Sequence, residues 1–279
     1  VIASRVMACS VATVSLAVFS RVLRDRRRSM LWWSVGVAAY VAMIIAVFPT
    51  VRDASGMAEL MEQYPESVMA MMGIADVDFT SGAGYLAAEL FGFVVPLFVV
   101  ILTIGTGASA IGGAEEQGTL DLLLSHPVSR RAVLVQNAAV VAFEATLLGA
   151  VVLVVLLVAD PLVGLHLTLA NLVGTVVGTV LLGVLLGWLA LVVGAASGSR
   201  SVALGVASAF AALAYLGSTL PELVDGLGPV RWLSPFWYAT SGSPLALGFT
   251  WWHTLVLVGA SGVVLLTGVV LFDRRALAH

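Results

Sequence analysis

The 279-residue chain contains no lysine; its thirteen basic residues are all arginine. A Walker A loop needs its lysine to reach the phosphates, so the chain carries no such loop and any ATP chemistry belongs to a partner. Cysteine is nearly absent as well. Cys9 is the only one, which excludes an internal disulfide and a thiolate metal site. Charge of either sign is scarce, at 10% of residues, against about 25% in a soluble domain. His126, His166, His253 and His279 are scattered without the spacing of metal ligands. No Ser-His-Asp set or paired carboxylates suggest catalysis, so no enzyme, cofactor or metal site is expected on this chain, and no nucleic-acid partner. What fills the sequence is apolar surface: 60% of residues are hydrophobic and the mean hydropathy is +1.07. This composition predicts an all-α, polytopic membrane protein in a single transmembrane domain.

Six apolar runs are long enough to cross a bilayer. They are predicted at 31–48, 86–111, 132–159, 168–197, 202–220 and 253–272. The apolar run Val6–Ser20 is too short to span and leads into Arg21, Arg24, Arg26, Arg27 and Arg28 without a small-residue cleavage site. Residues 1–30 therefore read as a cytoplasmic interfacial (elbow) helix ending in a basic stop, with an additional span as the alternative. Trp32 and Trp33 suit the inner end of the first span, which should end at Pro49. Residues 50–85, with Asp53, Glu59, Glu62, Glu66, Asp76 and Asp78, form an acidic external loop. Pro96 should kink the second span, and Asp160-Pro161 should make the turn after the third. Residues 221–252 crowd Trp232, Phe236, Trp237, Tyr238, Trp251 and Trp252 beside prolines, as short helices at the outer interface would.

With both termini cytoplasmic, Arg5, Arg21, Arg24, Arg26, Arg27, Arg28, Arg130, Arg131, Arg200, Arg274 and Arg275 fall inside. Only Arg52 and Arg231 fall outside, eleven against two, the asymmetry the positive-inside rule requires.

Between the second and third spans lies a charged island at 115–129. Leu120, Leu123 and Leu124 are spaced to share one helix face, and Glu115, Glu116 and Asp121 suit the start of a short helix. Pro127 stops it, and Ser129 can cap the next helix before Arg130 and Arg131. A plain polar loop is the simpler alternative. The run Glu115-Glu116-Gln117-Gly118-Thr119-Leu120-Asp121-Leu122-Leu123-Leu124-Ser125-His126-Pro127-Val128-Ser129-Arg130 resembles the coupling loop of the type-2 permeases of ATP-binding-cassette exporters. The aromatic run around Leu233-Ser234-Pro235-Phe236 resembles the segment before that family's last span.

The resemblance implies a type-2 ABC exporter permease fold and a cytoplasmic coupling helix at 115–129. That helix would dock on a separate ABC ATPase through Glu115, Glu116, Gly118, Thr119, Leu120, Asp121, Leu123, Leu124, Pro127 and Arg130. It further implies a homodimer of permeases with two ATPase copies, ATP and magnesium being held by the ATPase. Alternating access would then export a lipophilic molecule such as a drug, antibiotic or lipid. Phe91, Phe93, Phe98, Phe210 and Tyr215 are the candidate cavity lining, although helix packing explains them equally well.

Glu144 lies thirteen residues after Arg131, about 20 Å along the helix. An ionisable group at that depth is costly and marks either a functional site or a packing device. Asn137, two turns earlier, shares nearly the same face. Glu144 thus opens a second class of function, a proton-coupled secondary transporter. A third is a non-transporting partner that passes ATPase motion to the outside. The pairs Gly174/Gly178, Gly183/Gly187 and Gly194/Gly198 permit close helix approach, within the subunit or at a dimer contact.

Overall fold

The structure, a computed structural model, describes residues 2–54, 78, 80–119, 129–222, 224, 228–240 and 242–274; of residues 2–23, Glu222 and Arg274 it describes the backbone alone. The described residues are mostly helical, with no strand among them. Among the described residues six helices are long and apolar enough to span a membrane: Arg24–Arg52, Gly82–Glu116, Arg130–Val163, Leu169–Ser197, Arg200–Thr219 and Trp251–Asp273. They are called the first to sixth spans below. Most of the external loop and residues 120–128, which hold Leu120, Asp121, Leu123, Leu124 and Pro127, lie outside the described residues.

The basic block predicts a break near residue 30, but the backbone runs as one helix from Ile2 to Arg52. The reason is local: neither glycine nor proline occurs before Gly36, and arginine is a good helix former. Pro49 does not end this helix either. Its missing N–H removes one bond, after which the Asp53 N–H still donates to the Pro49 carbonyl at 3.0 Å. Likewise the third span passes through Asp160-Pro161 and ends at Gly164, whose φ of +70° supplies the left-handed cap. The Asp160 side chain instead accepts the Leu167 N–H at 3.1 Å, closing the turn beyond.

The fourth span is the hub. It packs against the second, third, fifth and sixth spans, whereas the first packs mainly on the third. Glycines make this possible. A side chain at Gly107 on the second span would strike the backbone of Gly187 on the fourth. A side chain at Gly187 would in turn strike Thr103 and Val141, and one at Gly183 would strike Val99. At the far end Gly174 lies under the Phe249 ring and Gly178 under Ala239. Gly198 is different: its φ of +71° ends the helix. Gly194 faces Gly112 of the second span and Ala203 of the fifth, so five of the six repeat glycines pack within the subunit.

The second span is irregular for a stated cause. Pro96 cannot donate to the Gly92 carbonyl and its ring crowds that oxygen, so helical geometry fails at Gly92-Phe93, where Phe93 has φ −148° and ψ −51°. Two π-helical segments flank the regular part, Ala87–Phe91 and Ser109–Gly113. The connections define two ends of the bundle. One, rich in arginine, gathers Glu116, Arg130, Arg131, Ser199, Arg200 and Asp273. The other, rich in aromatics, gathers the short helices Pro235–Thr240 and Pro244–Leu247 with the start of the sixth span.

Candidate functional site

Two polar clusters join different spans, one buried in the core and one at an exposed end. The first is inside the bundle. Glu144 of the third span is 0% exposed, and both of its oxygens are taken. Arg26 Nε donates to Oε1 at 2.7 Å, and the Thr106 hydroxyl lies 2.5 Å from Oε2. Arg26 Nη2 donates to the same threonine oxygen at 2.6 Å, closing a triangle across the first three spans. Other buried hydroxyls, such as Thr103, Thr175, Thr179 and Ser261, bond only to carbonyls of their own helices. Asn137 does the same, donating to the Val133 carbonyl at 2.9 Å, so it takes no part in the triangle.

The packing explains why these three meet. The buried stripe of the first span is Met30, Val37, Val41, Ile45 and Phe48. Extended back by one turn, it reaches Arg26 and passes over Arg24, Arg27 and Arg28. The close approach of Gly107 to Gly187 fixes the second span beside the fourth and so fixes its neighbour Thr106. Arg26 was legible only as one arginine of a basic block at the membrane edge. Its place one turn before Met30, in line with the apolar stripe, separates it from the other arginines only once the packing of the first span is seen. Thr106 gave no signal, since a threonine in a span usually bonds its own helix, as Thr106 also does to Leu102 at 2.9 Å.

The second cluster is at the arginine-rich end, where the second span runs out. Gly118 has φ +65°. Its N–H donates to Glu115 at 2.9 Å and the Thr119 N–H donates to Ala114 at 2.9 Å. This pair of bonds is a Schellman motif, and it gives a reason for glycine at this place in the coupling sequence. The Thr119 hydroxyl adds a bond to the Ala114 carbonyl at 3.0 Å. One turn back, Glu116 Oε1 accepts from the Ser199 hydroxyl at 2.8 Å and the Arg200 N–H at 2.9 Å. A carboxylate thus sits on the positive N-terminus of the fifth span. Arg200 Nε returns a bond to Ser109 at 3.1 Å, and Gly112 lets the Ser199-Arg200 backbone approach. Beyond residues 120–128, Ser129 caps the third span by accepting the Ala132 N–H at 3.2 Å. Arg130 lies over the Phe272 ring at 5.9 Å and Arg131 pairs with Asp273, tying the third span to the sixth.

The five aromatics considered for a cavity divide into two groups. Phe91 is buried in the core beside the first span, and Phe98 packs edge-on to Trp33 and Tyr40. Phe93 meets Tyr215 with ring centroids 5.2 Å apart, and Tyr215 meets Phe236 at 5.5 Å. Phe93 and Phe210 are exposed on the surface of this single chain. Among the described residues no group of three His, Cys, Asp or Glu could hold a metal ion.

The comparison with curated proteins finds no match. A family model described as ABC-2 family transporter protein, in contrast, matches residues 16–277, taking in all six spans. With six apolar helices and a match over nearly its whole length, the chain belongs to the ABC-2 transporter family and is a multi-pass membrane permease of an ABC transporter.

Proposed function

We propose that the chain is the permease subunit of an ATP-driven exporter, docking a separate ABC ATPase through residues 115–129. Two permeases would form a homodimer with two ATPase copies, and ATP and magnesium would be held by the ATPase. The arginine-rich end faces the cytoplasm, as the count of eleven arginines against two requires. The observation that carries this reading is the pairing of Glu116 with Ser199 and Arg200. It joins the start of the coupling stretch to the N-terminus of the fifth span. A push that reaches Glu116 would thereby be passed to a second helix.

The fifth span is mostly exposed on the single chain, with Val206, Phe210 and Leu213 among the uncovered side chains. Together with Phe93 and Tyr215 it offers an apolar surface at a dimer axis, suited to a lipophilic substrate such as a drug, antibiotic or lipid. The proton-relay alternative gains no support, because Arg26 and Thr106 occupy both oxygens of Glu144.

The test is transport by inverted vesicles containing the permease and its ATPase, with a lipophilic fluorescent cation as probe. Uptake should require ATP and survive a protonophore. Uptake that follows the proton gradient without ATP would establish the secondary transporter. ATP hydrolysis with no uptake of any lipophilic probe would favour the mechanical partner.

A further inference from the structure

The aromatic-rich end holds an arginine that the transport reading leaves unused. Arg231 lies in the 3₁₀ segment Gly228–Leu233, with Cζ 5.5 Å from the Trp232 ring centroid and 5.6 Å from that of Trp237. The two indoles are 4.8 Å apart at an interplanar angle of 52°. A cation drawn to indole rings spends none of its N–H donors on them, so the guanidinium fork remains available to an anion. Arg52, the other arginine at this end, is committed to the Asp53 carboxylate and the Val163 carbonyl. No carboxylate among the described residues pairs with Arg231.

The platform under it is built. The Tyr238 hydroxyl donates to the Trp232 carbonyl at 2.9 Å, and the Ser234 hydroxyl donates to Ala214 of the fifth span at 2.6 Å. Trp232 stacks on Trp252 of the sixth span, with centroids 6.3 Å apart at 25°. Val230 faces Gly217 of the fifth. Apolar side chains on the same elements are bare: Leu233, two residues on from Arg231, is 83% exposed, and Trp251, the chain neighbour of the stacked Trp252, is 68% exposed. Indoles settle at headgroup depth, so the cation is placed at the level of lipid phosphates with an apolar slope next to it.

We propose that Arg231, on its Trp232–Trp237 platform, is a binding site for the phosphodiester of a membrane phospholipid. The inference requires that the helices span a membrane and does not depend on the ATPase assignment. A phosphodiester matches the open fork, and acyl chains match Leu233 and Trp251; inorganic phosphate would satisfy only the first.

Native mass spectrometry of the detergent-purified chain would test this, by titration with short-chain phosphatidylglycerol, short-chain phosphatidylcholine and inorganic phosphate in separate arms. One lipid of either headgroup should bind per chain with priority over further adducts. Arg231→Gln should weaken that first event about tenfold for both lipids, and Arg52→Gln should leave it unchanged. Arg231→Lys, which keeps the charge without the planar fork, should fall between, and serves if the glutamine variant does not fold. Inorganic phosphate at equal concentration should not compete. An unchanged first event in Arg231→Gln, or in Arg231→Lys where that variant alone folds, would overturn the proposal. So would equal competition by inorganic phosphate.

Discussion

At the scale of single residues, the chain places its costliest group with care. An isolated carboxylate in hydrocarbon would be strongly unfavourable, and Glu144 avoids this through Arg26 and Thr106, which between them engage both oxygens. Removing one member of a buried pair costs about 3–5 kcal/mol, mostly for the charge left behind, whereas replacing both with apolar residues is often neutral. The Arg26 side chain keeps 27% exposure, so the loss falls at the low end, about 3 kcal/mol. We expect Arg26→Leu and Glu144→Leu to be destabilised singly and the double variant to recover most of the loss, measured by denaturation in detergent. Additive losses would mean that the pair is not coupled. Glu144 was visible in the sequence because depth follows from counting along a helix. Its partners were not, because contact between distant helices depends on packing that periodicity alone does not fix.

At the scale of elements, helix ends carry the function-related geometry. Gly118 terminates the second span in a left-handed conformation that other residues reach only at about 1 kcal/mol or more. Glu116 then caps the fifth span across the bundle. The coupling sequence was recognisable from its residues, and the resemblance placed Glu116 among those that dock the ATPase; its bonds to the start of the fifth span were not visible. The short gap between the predicted fourth and fifth spans was legible, but nothing in it announced that a carboxylate from the second span would sit on Ser199 and Arg200. Losing a cap costs about 1 kcal/mol, too little to unfold the bundle. Glu116→Ala should therefore leave the permease folded and the ATPase bound, while lowering the substrate moved per ATP hydrolysed. Unchanged stoichiometry would show that the contact is structural only.

At the scale of the whole molecule, the six-span count and their order were legible because each span is a long apolar run between charged or proline-bearing turns. Span ends were less legible. Pro49 and Asp160-Pro161 look like stops, but a proline in the last turns of a helix removes only one bond, so each helix continues past it. No break in the backbone marks the boundary between residues 1–30 and the first span, because no helix breaker occurs before Gly36. How the fourth span comes to be the hub follows from its glycines, whose use within the subunit the sequence left open beside a dimer contact. The account as a whole depends on residues 115–129 being the place where an ATPase grips the permease. Burying one leucine contributes about 1.5–3 kcal/mol, so a charge in place of Leu123 should weaken assembly by about tenfold or more. The direct measurement is co-purification of the ATPase with Leu123→Asp, alongside permease-stimulated ATP hydrolysis. The account predicts a folded, membrane-inserted permease that recovers no ATPase and stimulates no hydrolysis; normal assembly and hydrolysis by this variant would contradict it.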